Sequence, residues 1–197
     1  MYTIFNQSKK LVVSTVAIAS MLVAGTALAD KVKPGKPGNN DLAPNGNIVQ
    51  VALAANAALG VFNTVLAAAQ CEYFDGAVVD ILGGDDKVTL FAPVDSAFDE
   101  LGLDETNVCA AFASEPTTLL TILAYHVTEG RRFSNSVFNR QGNAKEVEML
   151  LGTGYITTEG GMIYDAGSED DTNIVDPFFD INASNGVIHV IDKVLLP

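Results

Sequence analysis

The sequence predicts an α+β fold, because helical and strand-like patterns occupy different parts of the chain. The clearest helical patterns lie at residues 48–69 and 117–126, whereas from Arg131 onward short apolar segments are separated by Gly, Asn and Asp. This segregation favours an α+β fold over an alternating parallel sheet. The 197 residues suffice for one ordinary domain, and 48% of them are hydrophobic, as in a globular protein.

The first 29 residues have the features of a secretory signal peptide. Lys9 and Lys10 precede an uncharged run at residues 11–28, and residues 27–29 (Ala-Leu-Ala) match the small-x-small cleavage pattern. We therefore predict cleavage after Ala29 and a secreted protein, extracellular or periplasmic. The alternative is an uncleaved membrane anchor, because a run of this length can just span a bilayer. After cleavage, no stable membrane insertion is expected.

The rest of the chain divides into a leader and one domain. Residues 30–46 are rich in Pro and Gly and contain almost nothing to bury, so they are interpreted as a flexible leader. Residues 47–197 form the predicted domain. Within it, apolar residues at steps of three or four predict one amphipathic helix over 48–69, with Asn47 as its N-cap. A short helix over 76–82 is predicted to end at Gly83–Gly84.

The middle of the domain alternates strand and helix signals. Residues 87–91 predict a buried strand that Pro93 ends, and Asp95 or Ser96 is expected to cap a helical turn over 97–101. Helical segments are predicted at 107–113 and, after the Ser-Glu-Pro start signal at 114–116, at 117–126. Strands are then predicted at 146–151, 154–158, 162–164, 172–175 and 186–196.

Cys71 and Cys109 are the only cysteines of the chain. In an oxidising compartment, an even pair most simply forms one disulfide. Two buried free thiols are the alternative. The disulfide is preferred here because export is predicted.

The charge of the chain argues against several classes of partner. It has 11 Lys and Arg against 24 Asp and Glu, a formal net charge of −13. An acidic protein repels phosphate backbones and anionic lipid, so neither nucleic acid nor a membrane surface is an expected partner.

Three stretches together resemble the fasciclin (FAS1) domain family. They are residues 89–98 (TLFAPVDSAF), the segment from Leu119 to Val127 that ends in Tyr125–His126, and residues 185–197 (NGVIHVIDKVLLP). The resemblance covers about residues 47–197. It implies a fasciclin-like fold with two small β-sheets in a wedge and several helices packed around them. It also implies a secreted or surface-held protein that serves cell adhesion or matrix attachment.

The resemblance links the Tyr-His pair to adhesion, which makes Tyr125 and His126 the candidate adhesion motif. The competing interpretation is that Tyr125 packs in the core and His126 merely ends a helix, where the helix dipole favours a protonated ring. His189 lies in a final strand with two apolar faces, which is expected to be central and buried. A buried imidazole needs hydrogen-bond partners, so His189 is interpreted as a core group rather than a ligand or base.

No catalytic motif stands out, so we predict that the chain is not an enzyme and uses no cofactor or metal. The best metal candidate, the acidic run at 165–173, fails the twelve-residue calcium-loop pattern and is interpreted as a solvated turn. Residues 182–184 (Asn-Ala-Ser) form an N-glycosylation sequon. The predicted function is non-catalytic adhesion or matrix and biofilm interaction through an extracellular protein or polysaccharide. The alternative is a carrier or sensor of a small apolar ligand, held by apolar residues of 48–69 and 117–123.

Overall fold

The computed structural model describes residues 46–138, 144–150, 155–159, 161–167 and 171–197. The predicted signal peptide and most of the predicted leader lie outside these residues. The helices are α1 (Ile48–Leu59), α2 (Asn63–Ala69), α3 (Ala77–Gly83), α4 (Asp95–Asp99), α5 (Val108–Ala111), α6 (Pro116–Ala124) and α7 (Ser134–Val137). The strands are β1 (Val88–Pro93), β2 (Val127–Glu129), β3 (Lys145–Glu148), β4 (Tyr155–Glu159), β5 (Met162–Tyr164), β6 (Thr172–Asn173), β7 (Ile181–Ala183) and β8 (Gly186–Ile191).

In the described part of the chain, the strands form two four-stranded sheets. The mixed sheet has the order β2-β1-β8-β7, and the antiparallel sheet has the order β3-β4-β5-β6. Strands β1 and β8 are parallel neighbours at the centre of the mixed sheet, and every residue of both strands is buried. The α+β expectation is therefore confirmed, and the last strand is central, as its two apolar faces predicted.

The helix predicted over 48–69 is wrong at one point, because Gly60 divides it. Gly60 has a left-handed φ of 66°, a conformation that ends α1 and that glycine adopts without steric cost. The Asn56 side chain then accepts a hydrogen bond from the Phe62 amide.

Asp95 was expected to cap its own helix, but its carboxylate instead accepts hydrogen bonds from Asn63 Nδ2 and the Thr64 amide at the start of α2. These contacts are long-range, so the local pattern could not reveal them.

Asn185 joins three elements at one end of the mixed sheet. Its Oδ1 accepts a hydrogen bond from the Ile48 amide at 2.8 Å, and its Nδ2 donates to the carbonyls of Leu82 and Gly84, each at 2.8 Å. The buried side chain thereby provides hydrogen-bond partners for backbone groups at the start of α1 and at the end of α3, which have no partner within their helices. Asn47 supports the same junction, because it caps α1 in a capping box and donates to the Gly83 carbonyl.

Gly186 is required by space rather than by its backbone angle. Neither Asn185 nor Gly186 has positive φ, so no left-handed backbone conformation requires a glycine here. A Cβ at Gly186 would instead lie 2.1 Å from the Val88 carbonyl oxygen and 2.5 Å from Ile48 Cδ1. Helix α1 and strand β1 therefore approach the backbone of β8 so closely that only glycine fits.

The buried side chains form several clusters around the two sheets. One cluster lies between α1 and the mixed sheet and includes Ile48, Val51 and Ile188. A second includes Phe91 and Ile191 of the mixed sheet together with β3, β4 and β5 side chains. A third surrounds the Cys71–Cys109 disulfide, which links the end of α2 to α5. The disulfide places both cysteines in a small apolar cluster.

Candidate functional site

Tyr125, the first residue of the candidate adhesion motif, is completely buried. It follows α6 and packs in the cluster that contains Phe91, Ile191 and Leu195. Burial raises the pKa of its hydroxyl, and a hydrogen bond to the backbone of Ala166 acts in the opposite direction. The ring is therefore part of the core, and it presents no surface to a macromolecular partner.

His126, the second residue of the motif, is buried with both ring nitrogens in use. Its Nε2 accepts a hydrogen bond from the Leu195 amide at 2.9 Å. Because a backbone amide can only donate, Nε2 is unprotonated, and Nδ1 carries the hydrogen that it donates to the Ile122 carbonyl at 2.7 Å. The imidazole thus ties the C-terminal segment of the chain to the last turn of α6.

The expectation of a protonated His126 at a helix end is wrong. Burial lowers the pKa of its ring, the hydrogen bond to Ile122 raises it part of the way back, and the resulting pKa is about 4 instead of 6.5. Desolvation of a charged ring outweighs the helix dipole here, because the side chain is enclosed rather than exposed at the end of the helix. His126 is neutral near pH 7.

His189 lies at the centre of β8 and is also fully buried and bonded. Its Nε2 donates to the Arg132 carbonyl at 2.8 Å, and its Nδ1 faces the Asp180 amide at 3.4 Å. The ring stacks on Phe91 with centroids 5.6 Å apart and meets the edge of Phe138 at 6.2 Å. Burial lowers the pKa of this ring as well. Both imidazoles are buried, His126 with 3% and His189 with 0% of its surface exposed.

Asp180 and Ser134 lie beside His189, and their arrangement argues against nucleophilic catalysis. The Asp180 carboxylate accepts bonds from the Ser134 amide at 2.5 Å and from its hydroxyl at 2.6 Å. The nearest distance from His189 Nδ1 to Asp180 Oδ1 is 3.9 Å. A catalytic base must contact the hydroxyl it activates, whereas the His189 Nε2 is bonded to a carbonyl. The carboxylate therefore fixes the start of α7.

The acidic run at 165–173 has a structural contact at its start. Asp165 accepts hydrogen bonds from the Leu196 amide at 2.9 Å and from the Gly167 amide at 3.1 Å. Residues 168–170 of the run lie outside the described residues. Within the part of the chain that is described, no group of three His, Cys, Asp or Glu side chains could hold a metal ion.

An apolar cavity of about 210 Å³ lies between helices α1, α2, α3 and α6 and one face of the mixed sheet. Its rim includes Leu53 of α1, Ile81 of α3 and Leu120 of α6, whose side chains are 48%, 49% and 39% exposed. Of the five large hydrophobic side chains that are exposed among the described residues, three therefore surround this one opening. Periodicity identified α1 and α6 as apolar, but it could not show that their packing leaves a space.

A second exposed feature lies at the edge of the mixed sheet. The Arg131 guanidinium is 5.8 Å from the centroid of the Phe133 ring, which is 37% exposed. Arg131 also donates to Oδ1 of Asn182, the first residue of the predicted sequon, in the edge strand β7. We call Arg131, Phe133 and Asn182 the edge surface.

Comparison with known proteins assigns the family. The model of the fasciclin domain matches residues 61–197. The chain belongs to the fasciclin domain family. Proteins with a fasciclin domain generally act in cell adhesion and are non-catalytic, and the domain occurs in extracellular proteins.

The relatives are both animal and cyanobacterial. The chain is 32% identical over 127 residues to human periostin, covering 61% of this chain and 13% of periostin. It is 33% identical over 119 residues to the uncharacterized protein sll1735 of Synechocystis sp., covering 60% of this chain and 80% of that protein. The matched region thus covers a small part of periostin and most of the Synechocystis protein.

A solved structure shows the same fold. A FAS1 domain pair from the insect cell adhesion molecule fasciclin I matches with a TM-score of 0.53 and 15% identity, over 77% of this chain and 51% of that chain. At this identity the likeness concerns the fold alone.

None of the helices in the described residues is both long and apolar enough to cross a membrane.

Proposed function

We propose that this chain is a secreted, non-catalytic fasciclin-domain protein that acts in cell adhesion or in the interaction with an extracellular matrix or biofilm. The observation that carries the proposal is the family match over residues 61–197. The burial of Tyr125, His126 and His189 supports a role for these residues as scaffold. Recognition is then assigned to the exterior of the domain.

The edge surface is the best candidate for recognition on that exterior. Arginine and aromatic side chains are enriched in the energetically important centres of protein interfaces. Arg131 and Phe133 present this combination on a chain with a net charge of −13, where exposed cations are scarce. The chemistry favours an extracellular protein as partner, and an acidic polysaccharide is the outcome to be distinguished from it.

Surface attachment of the purified protein tests this proposal. Phe133→Ala removes an exposed ring, and Leu101→Ala is the matched control because Leu101 is 47% exposed and lies outside the edge surface. We expect Phe133→Ala to reduce attachment to the native cell surface at least fivefold, while Leu101→Ala leaves it unchanged. Protease treatment of that surface should abolish binding if the partner is a protein, and glycosidase treatment should abolish it if the partner is a polysaccharide. Equal attachment by both variants would contradict the assignment.

A second candidate function is the carriage of a small apolar ligand. The apolar cavity with its exposed rim favours it, because exposed apolar patches on a monomeric protein commonly mark a binding site. Organic extraction of the protein purified from its own producing cells, followed by mass spectrometry, tests carriage. A stoichiometric apolar compound would support it, and its absence would contradict it.

A further inference from the structure

We infer that the apolar cavity is a binding site for an uncharged, hydrocarbon-rich small molecule of roughly eight carbon atoms, or for a neutral chain of that length. This inference rests on the second candidate function and is independent of adhesion. The size follows from the cavity volume of about 210 Å³, given that a dry apolar cavity of about 150 Å³ binds benzene.

The lining of the cavity determines that the ligand is apolar. The described residues that line it include no Asp, Glu, Lys or Arg. The two strongly polar side chains among them are Gln70 and His126. Both ring nitrogens of His126 are bonded within the protein, and Gln70 Nε2 donates to the Leu66 carbonyl. A charged group carried into this space would lose its water without gaining an opposite charge, which is strongly unfavourable.

The charge around the opening argues against an anionic ligand. Asp80 is exposed and adjacent to Ile81 on the rim, and the whole chain carries a net charge of −13. A fatty acid would place its carboxylate either inside the apolar lining or beside this negative potential, and both positions are unfavourable. A neutral alcohol of the same chain length avoids both penalties.

The exposed rim provides the route by which the ligand enters the cavity. Leu53, Ile81 and Leu120 belong to three different helices and are between 39% and 49% exposed, so a ligand that enters between them covers apolar surface now in contact with water. Three exposed side chains around one cavity give the ligand contacts outside the cavity as well as within it.

Isothermal titration calorimetry with 1-octanol and with sodium octanoate at pH 7.5 tests the inference directly. The two compounds share a chain length and differ in charge. We expect saturable one-to-one binding of octanol to the purified chain and at least tenfold weaker binding of octanoate. Equal or tighter binding of octanoate, or no saturable octanol binding, would overturn the inference.

Substitutions locate the site. Ala52→Phe places a ring on a lining residue and should weaken octanol binding at least tenfold, whereas Ala57→Phe, on an exposed position of the same helix outside the lining, should not. In case Ala52→Phe fails to fold, Ile81→Gln tests the rim and should weaken binding roughly fivefold, with Leu101→Gln as the exposed control. Unchanged binding in the folded cavity variants would overturn the inference. So would sedimentation showing a dimer that Ile81→Gln dissociates, because a second copy would then cover the rim.

The titrations test the binding site, and the extraction experiment tests carriage in the producing cells, so one can give a negative result without the other. Octanol binding that Ala52→Phe removes supports the site whatever the producing cells supply. Extraction without an apolar compound contradicts carriage in those cells, and it leaves the titration result as evidence for the site.

Discussion

His126 should make the domain sensitive to mild acid. The folded-state pKa of its ring is about 4, against 6.5 for an exposed ring. Because the unfolded state binds the proton more readily, folding stability is complete above about pH 6.5 and decreases as the pH falls toward 4. The difference between the two pKa values corresponds to about 3 kcal/mol.

Protonation of the His126 ring would break its hydrogen bond to the C-terminal segment. A proton on Nε2 removes the acceptor for the Leu195 amide and leaves two donors facing each other. The positive charge would lie inside the core, beside a cavity whose lining has no carboxylate. The C-terminal segment should therefore be released before the rest of the domain unfolds.

Denaturant titrations at a series of pH values between 7.5 and 4 measure this effect. His126→Gln is the control, because it keeps a polar side chain and removes the titrating group. We expect the variant to be less stable than the parent at pH 7.5, but to lose about 3 kcal/mol less on acidification. His189 is present in both proteins, so its own acid dependence cancels in the comparison. The same pH dependence in both proteins would refute the reasoning.

Three further predictions concern the scaffold. Asn185→Ala removes the three hydrogen bonds of a buried side chain and should cost about 3 kcal/mol in denaturant unfolding, and a loss below 1 kcal/mol would count against its role. Gly186→Ala should lower the melting temperature strongly, because its Cβ would overlap the Val88 carbonyl oxygen and Ile48, and an unchanged melting temperature would show that the strands can part. Thiol titration of the denatured, unreduced protein should find no free thiol at Cys71 or Cys109, and reduction should cost up to about 4 kcal/mol.

Local sequence patterns predicted those elements whose cause is local. The buried character of β8 followed from apolar residues on both faces, and the short helix α3 followed from apolar spacing before two glycines. Strands β2 and β7 and helix α7, each three or four residues long, were not predicted. The break at Gly60 was also missed, because the apolar stripe continues beyond it.

The functional features depended on long-range contacts, which the sequence did not show. His126 was expected to be protonated because it follows a helix, but its Leu195 partner lies 69 residues away along the chain. The Asn185 junction likewise joins residues more than a hundred positions apart. The cavity arises where four helices meet one sheet, and its volume depends on how they pack.

The most direct test of the account compares surface attachment per folded molecule for His126→Ala and for the parent protein. If this imidazole maintains the fold while recognition lies on the exterior, His126→Ala should have a lower melting temperature. Its attachment should be unchanged once the amount of folded protein is equalised. A variant of unchanged stability that no longer attaches would place His126 in the recognition site and contradict the account.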